Sequence, residues 1–192
     1  MKPAGVVLCG GQSTRMGSDK ASLVLAGRPL AIWVADALGA AGAAPVVAQG
    51  GTPPAPLVAE PDSAPHAGPL SAIADALERH GDVLVCPTDV PTVTAELFAR
   101  VIARARSSDT PVVLARSTQV EPLIGWYARS ALPLLQHGLR AGARGPREIL
   151  DMEHVPTVPA APSEVLNVNT RGELAAAEAI LAARDAVGAD LG

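Results

Sequence analysis

Residues 6–20 read Val6-Val7-Leu8-Cys9-Gly10-Gly11-Gln12-Ser13-Thr14-Arg15-Met16-Gly17-Ser18-Asp19-Lys20, and the fold follows from how this stretch changes character halfway along. Four apolar residues, Val6 to Cys9, read as a buried strand that Gly10 and Gly11 break abruptly. Two consecutive glycines admit positive φ angles and leave no Cβ between the main chain and a ligand. Gln12, Ser13 and Thr14 add an amide, hydroxyls and main-chain N–H groups, and Arg15 and Lys20 return positive charge to the same loop. Such a loop suits a polyphosphate. It is neither a dinucleotide fingerprint nor a P-loop, because no Gly-x-Gly-x-x-Gly occurs, the Gly11 to Gly17 spacing is wrong, and Lys20 follows Asp19 rather than a glycine.

Beyond this loop, strand-like and helix-like segments alternate. Ser22 to Leu25 reads as extended. Pro29 can open a helix to about Ala43, with Leu30, Trp33, Val34, Ala37, Leu38 and Ala41 forming an apolar stripe. Val46–Ala48 and Leu57–Ala59 read as short strands separated by a Gly/Pro-rich loop. A helix follows from near Pro69 to Gly81, then a doubly buried strand, Val83–Cys86. Thr94 is a natural N-cap for a helix to about Ala105. Pro111–Ala115 and Leu123–Tyr127 read as strands, Ser130 as the cap of a helix carrying Leu132, Leu135 and Leu139, and Pro146 as the start of a short helix. Val165 to Asn169 alternates apolar and polar residues. Thr170 and Glu173 form a capping box for a last helix, Arg171 to about Ala186, with fraying expected from Gly188. Together these predict one α/β domain over residues 1–192, a three-layer sandwich whose largely parallel sheet binds ligands at the carboxyl ends of its strands.

Composition narrows the function. A net charge of -4 without a single-sign run gives no basic footprint for nucleic acid. The apolar stretch from Pro29 to Ala48 is built on Ala and Gly and holds Asp36 and Pro45, which argues against a membrane span. Cys9 and Cys86 each end an apolar run and read as small buried hydrophobes, consistent with a reducing, cytoplasmic setting. The four histidines lack paired ligand spacing, and no Gly-x-Ser-x-Gly elbow provides a nucleophile.

Four strand-end segments carry the polar groups a site needs: the Gly10 to Lys20 loop, Asp62 with the Gly68-Pro69-Leu70 turn, Asp89, and Asn167-Val168-Asn169. Asp89 is hemmed by Pro87 and Pro91, which suits either a Mg²⁺ ligand facing triphosphate oxygens or a cap for the following turn. Period-two spacing turns the amides of Asn167 and Asn169 to one face if that stretch is extended. Arg140, Arg144 and Arg147 lie in a glycine-interrupted segment that reads either as a clamp for the phosphate of a second substrate or as a solvated helix face.

The full string Leu8-Cys9-Gly10-Gly11-x-Ser13-x-Arg15-Met16-Gly17-x-Asp19-Lys20 resembles the signature loop of the nucleotidyltransferases, closest to the molybdenum cofactor guanylyltransferases. The resemblance extends to Gly68 to Leu70, to Cys86-Pro87-x-Asp89-x-Pro91, and to Asn167 to Leu174, all in the family's order. It implies GMP transfer from GTP to the molybdopterin cofactor with Mg²⁺ on Asp89. Arg15, Lys20 and Asp89 would serve catalysis, while Leu8, Cys9, Gly10, Gly11, Ser13, Gln49, Asp62 and Gly68 would join Arg15 and Lys20 around the nucleotide. Arg144 would approach the pterin, Asn167 and Asn169 would line the pterin or metal side, and transient contact with apo-molybdoenzymes would be possible. The chain departs from the family at Cys9 for the usual Ala, at Gln49 for a frequent Asn, and at Glu121-Pro122 for a common His-Pro. The same fold also serves cytidylyltransferases and small-metabolite nucleotidyltransferases, and a catalytically silent cofactor carrier is a further alternative. The paired glycines and Asp62, whose carboxylate suits the N1 and N2 donors of guanine, favour GTP.

Overall fold

The computed structural model describes residues 2–10 and 23–189. Among these, nine strands and five helices alternate: β1 (Ala4–Leu8), β2 (Val24–Leu25), β3 (Arg28–Pro29), α1 (Leu30–Ala40), β4 (Val46–Gln49), β5 (Val58–Glu60), α2 (Pro69–His80), β6 (Val83–Pro87), α3 (Ala95–Arg106), β7 (Val112–Arg116), β8 (Val120–Tyr127), α4 (Leu132–Arg140), β9 (Thr157–Pro159) and α5 (Arg171–Ala189). Seven strands form one sheet in the order β5-β4-β1-β6-β8-β7-β9, and β2 pairs with β3 as a separate hairpin. The sheet is parallel except at β8, which runs against both β6 and β7.

The period-two pattern of β1 divides the core. Val7 and Cys9 face α1 and α3 in one apolar layer, while Val6 and Leu8 face α2 and α4 in the other. With helices on both faces this is the expected three-layer α/β sandwich. A third, smaller cluster joins Leu25 and Leu30 to Val168, Ala177 and Leu181, and so seats α5 against the β2–β3 hairpin. Trp33, expected in the core, is half-buried beside this cluster, with its indole N–H on the Leu25 carbonyl at 3.0 Å and Arg28 stacked 4.6 Å from its ring. Two of the predicted caps form, Thr94 Oγ1 accepting from Leu97 N at 3.1 Å and Thr170 Oγ1 from Glu173 N at 3.2 Å, while Ser130 does not cap α4: it lies inside a 3₁₀ turn, Arg129–Ala131, that runs into the helix with no side-chain cap.

Three further expectations from sequence need correction. The strand expected from Leu123 begins at Val120, and it reverses the sheet direction. Thr157–Pro159 adds an edge strand that the apolar pattern does not announce. Val165 to Asn169 belongs to no strand: Val165 and Val168 are buried and Asn167 and Asn169 are exposed, and the segment meets the β6 end where Val168 N donates to Asp89 O at 2.7 Å.

Candidate functional site

β1 lies between β4 and β6, the two strands that follow it on opposite sides, so its carboxyl end is where the connections diverge. Open α/β sheets leave a crevice at such a point. The main chain of β1 is gripped from both sides there, with Cys9 N donating to Gln49 O at 3.0 Å and Leu8 O accepting from Thr88 N at 3.1 Å. Gly10 follows directly. Gly11, Ser13, Arg15 and Lys20, expected around the nucleotide, lie outside the described residues.

Asp62 stands on the β4–β5 side of this crevice, half-buried. A Cβ built on Gly10 would come within 3.3 Å of its Oδ2, and one on Gly50, whose φ is +71°, within 2.5 Å. Glycine at these two positions leaves the carboxylate a bare main-chain floor. Its other oxygen, Oδ1, accepts from the amide of Gln49 at 2.9 Å. Gln49 is fully buried: its Nε2 also donates to the Pro61 carbonyl at 3.0 Å, and its Oε1 accepts from Arg79 at 2.9 Å. Its side chain therefore acts through Asp62 rather than at the crevice surface. One residue further on, Asp75, buried on α2, accepts from Ser63 N and Ser63 Oγ, both at 2.7 Å, and fixes the loop that carries Asp62.

Sequence reasoning missed Asp75 and Arg79. The signal was present, since a carboxylate and a guanidinium four residues apart share one face of α2, the carboxylate within its apolar stripe.

Gly68 and Arg144 prove to be neighbours. With φ at +101°, Gly68 opens α2, and a Cβ there would meet the Arg144 carbonyl at 2.5 Å. That carbonyl accepts from Leu70 N at 3.0 Å, which satisfies one of the helix's first N–H groups. The Arg144 guanidinium reaches back to His66 O at 2.6 Å. Gly68 thus makes room for the 140–150 segment, and the exposed Arg144 borders the Asp62 loop. The three arginines do not act as one clamp: Arg147 donates to Val120 O at 2.6 Å instead, and Arg140 is exposed. Near Arg147, burial raises the Glu121 carboxyl above its ordinary range, against the lowering pull of the guanidinium.

Across β1, Asp89 is half-buried just past β6, and its main-chain bond to Val168 brings Asn167 and Asn169 alongside. Both asparagines are exposed, and Asn169 N donates to Glu173 Oε2 at 2.8 Å. Next to Asp89, the buried Thr88 hydroxyl finds no hydrogen-bond partner among the described residues. Burial pushes the Cys86 thiol well up, and the Asp89 charge pushes it further, so the thiol stays protonated at neutral pH.

The donors here fit Mg²⁺. Among the described residues no three His, Cys, Asp or Glu side chains gather into a cage, while Asp89 offers one hard carboxylate at the crevice mouth. Magnesium bound with a nucleotide takes one or two carboxylates and draws its other ligands from phosphate and water.

A family model described as the MobA-like NTP transferase domain matches residues 5–158. The molybdenum cofactor guanylyltransferase of Xanthomonas euvesicatoria pv. vesicatoria is 34% identical over 156 residues, 78% of this chain and 77% of that protein. The probable molybdenum cofactor guanylyltransferase of Mycobacterium ulcerans is 32% identical over 185 residues, 90% of this chain and 92% of its own. Among solved structures, molybdopterin-guanine dinucleotide biosynthesis protein A from Archaeoglobus fulgidus aligns with a TM-score of 0.76 at 22% identity, covering 95% of this chain and 99% of that one. The 2-C-methyl-D-erythritol 4-phosphate cytidylyltransferase of Thermus thermophilus gives 0.71 at 21% identity, covering 94% and 98%. Both structural likenesses concern the fold. Among the described residues no helix is long and apolar enough to cross a membrane.

Proposed function

We propose, from the premise that this chain belongs to the MobA-like NTP transferase family, that it transfers GMP from GTP to the molybdopterin cofactor and releases pyrophosphate. Nucleotidyl transfer is the family's chemistry; the choice of guanine and of the pterin acceptor is the proposal.

The observation that carries it is the placement of Asp62 Oδ2 over the Cβ-free surfaces of Gly10 and Gly50 at the end of β1. Guanine presents two adjacent donors, N1–H and the 2-amino group, to a carboxylate in that position. Cytosine lacks this pair, and a half-buried acceptor left unmatched costs about 1–3 kcal/mol.

The acceptor phosphate of molybdopterin is ionised at neutral pH, so the reaction needs no strong general base. One of its oxygens forms a bond to the α-phosphorus of GTP, the bond to the bridging oxygen breaks in line, and pyrophosphate leaves with the electron pair. By family resemblance, Arg15 and Lys20 would offset the charge growing on the leaving group. Asp89 would hold Mg²⁺, which when bound neutralises triphosphate oxygens. Arg144, at the rim of the Asp62 loop, and Asn167 and Asn169, beside Asp89, would border the acceptor.

The test is pyrophosphate release from each of the four nucleoside triphosphates, with and without the molybdopterin cofactor and Mg²⁺. The proposal predicts release that requires all three of GTP, acceptor and Mg²⁺. Equal or better use of CTP would overturn the guanine assignment and favour a cytidylyltransferase.

A further inference from the structure

Arg79 occupies the last turn of α2, where a cation ordinarily serves as a complement to the helix dipole. Here its guanidinium turns towards the ends of two strands. Nη1 lies 2.9 Å from Gln49 Oε1 and 3.4 Å from Glu60 Oε2, and Nη2 lies 2.7 Å from the Pro61 carbonyl. Glu60 is in turn held by His80, whose Nε2 is 3.0 Å from each carboxylate oxygen.

These contacts leave the Gln49 amide a single orientation. A guanidinium carries donors only, so the amide oxygen must face Arg79. The NH₂ group then faces the Pro61 carbonyl and Asp62 Oδ1, at 3.0 and 2.9 Å, both of which are acceptors. Flipped, the amide would set donor against donor and acceptor against two acceptors. Gln49 is fully buried, so water cannot relieve such a mismatch. With Oδ1 of Asp62 engaged from behind, the oxygen over Gly10 and Gly50 is Oδ2.

We propose that Arg79 is a positioning residue for base selection, which acts through Gln49 to hold Asp62 with Oδ2 turned to the donor edge of the purine. This rests on Asp62 being the guanine acceptor. Arg79 touches no substrate; it sets the orientation of the group that does. The Gln49 side chain extends the β4 end far enough to meet both Arg79 and Asp62.

The experiment compares GTP with inosine triphosphate, which keeps N1–H and lacks the 2-amino donor. kcat and KM for both are measured with the molybdopterin cofactor in the wild type and in Arg79→Met, Arg79→Lys, Gln49→Glu and Asp62→Asn, with a melting curve for each. Gln49→Glu keeps an oxygen for Arg79 and removes the donor to Asp62. Arg79→Met and Gln49→Glu are expected to lower the GTP preference in kcat/KM by about tenfold, chiefly through KM, as a loosened carboxylate no longer penalises the missing amino group. Arg79→Lys is expected to recover most of it, because an ammonium still donates to Gln49 Oε1. A merely structural Arg79 would lower the melting temperature and leave the preference intact, which overturns the proposal. So does an unchanged preference in Gln49→Glu. An unchanged preference in Asp62→Asn overturns both this inference and the guanine reading of Asp62; a change confined to Asp62→Asn overturns this inference alone.

Discussion

Main-chain bonds hold the strand ends on both sides of β1, and on the β4–β5 side a relay of side chains is added to them. At the ends of β4 and β5, Asp62 depends on Gln49, Gln49 on Arg79, and the loop itself on the Asp75 carboxylate. At the end of β6, the loop holding Asp89 is fixed by Thr88 N on Leu8 O at 3.1 Å, by Val168 N on Asp89 O at 2.7 Å, and by its own turn, Val90 N on Pro87 O at 3.3 Å. One long-range side-chain contact there, from Arg184, ends on a main-chain oxygen, that of Thr92 at 2.6 Å. A main-chain scaffold survives replacement of the side chain it presents. A side-chain relay does not. On the proposed function, selection of the base would be distributed over several residues, while the metal side would concentrate its chemistry in one.

The largest expected effect tests the second half of that contrast. Asp89→Asn should lower Mg²⁺-dependent turnover by about a hundredfold or more, the scale of losing one strong electrostatic group in the transition state. Its melting curve is recorded alongside, so that loss of turnover is separated from loss of fold. Unaltered Mg²⁺ dependence would make Asp89 a turn residue only.

Gly50→Ala probes the other half. The added Cβ would stand 2.5 Å from Asp62 Oδ2, too close for both to stay in place, on a backbone with φ at +71°. Displacement of the carboxylate should cost about tenfold in the preference for GTP over CTP, and backbone strain about 1–3 kcal/mol of stability. A folded variant with wild-type preference would show that Oδ2 is not the reading atom.

The smallest effect sharpens the comparison at an anchor of the metal-side loop. Burial alone would raise the Glu164 carboxyl, but bonds from Thr94 Oγ1 at 2.7 Å and Ala161 N at 2.9 Å, with Arg100 beside it, outweigh burial and lower it. A carboxyl lowered in the folded state stabilises above its unfolded pKa, and that contribution disappears as pH falls through the folded value. Glu164→Gln should thus be about 1 kcal/mol less stable than wild type at neutral pH, with the gap closing in acid. A gap independent of pH between 7 and 3 would assign the effect to packing.

The layered α/β fold and the strand-end placement of Asp62 and Asp89 were legible in the sequence because both follow from local pattern. Buried strands are short apolar runs, and a Gly or Pro after each marks a crevice loop. The direction of β8 was not legible, since Leu123 to Tyr127 has the same residue pattern whichever way it runs; only its pairing with Val83 to Val85 reveals the reversal. β9 was hidden by its brevity and by Pro156 and Pro159 at its borders. Val165 to Asn169 misled for a different reason: Val165 and Val168 bury into different clusters three residues apart, so the apparent alternation does not belong to a sheet. Arg79 was passed over because a cation in the last turn of a helix already has an ordinary explanation, and nothing local announces a partner thirty positions away.

The most direct test of the division of labour across β1 is a comparison of Asp62→Asn with Asp89→Asn, measuring kcat and KM for GTP and CTP with the molybdopterin cofactor. Asp62→Asn should reduce the GTP-to-CTP ratio of kcat/KM by about ten- to a hundredfold while kcat for GTP changes far less. Asp89→Asn should do the converse, lowering kcat for both nucleotides and preserving their ratio. If the two variants instead lose rate and selectivity together, in the same proportion, the two sides of β1 act as one unit and base selection is not separable from metal-assisted transfer.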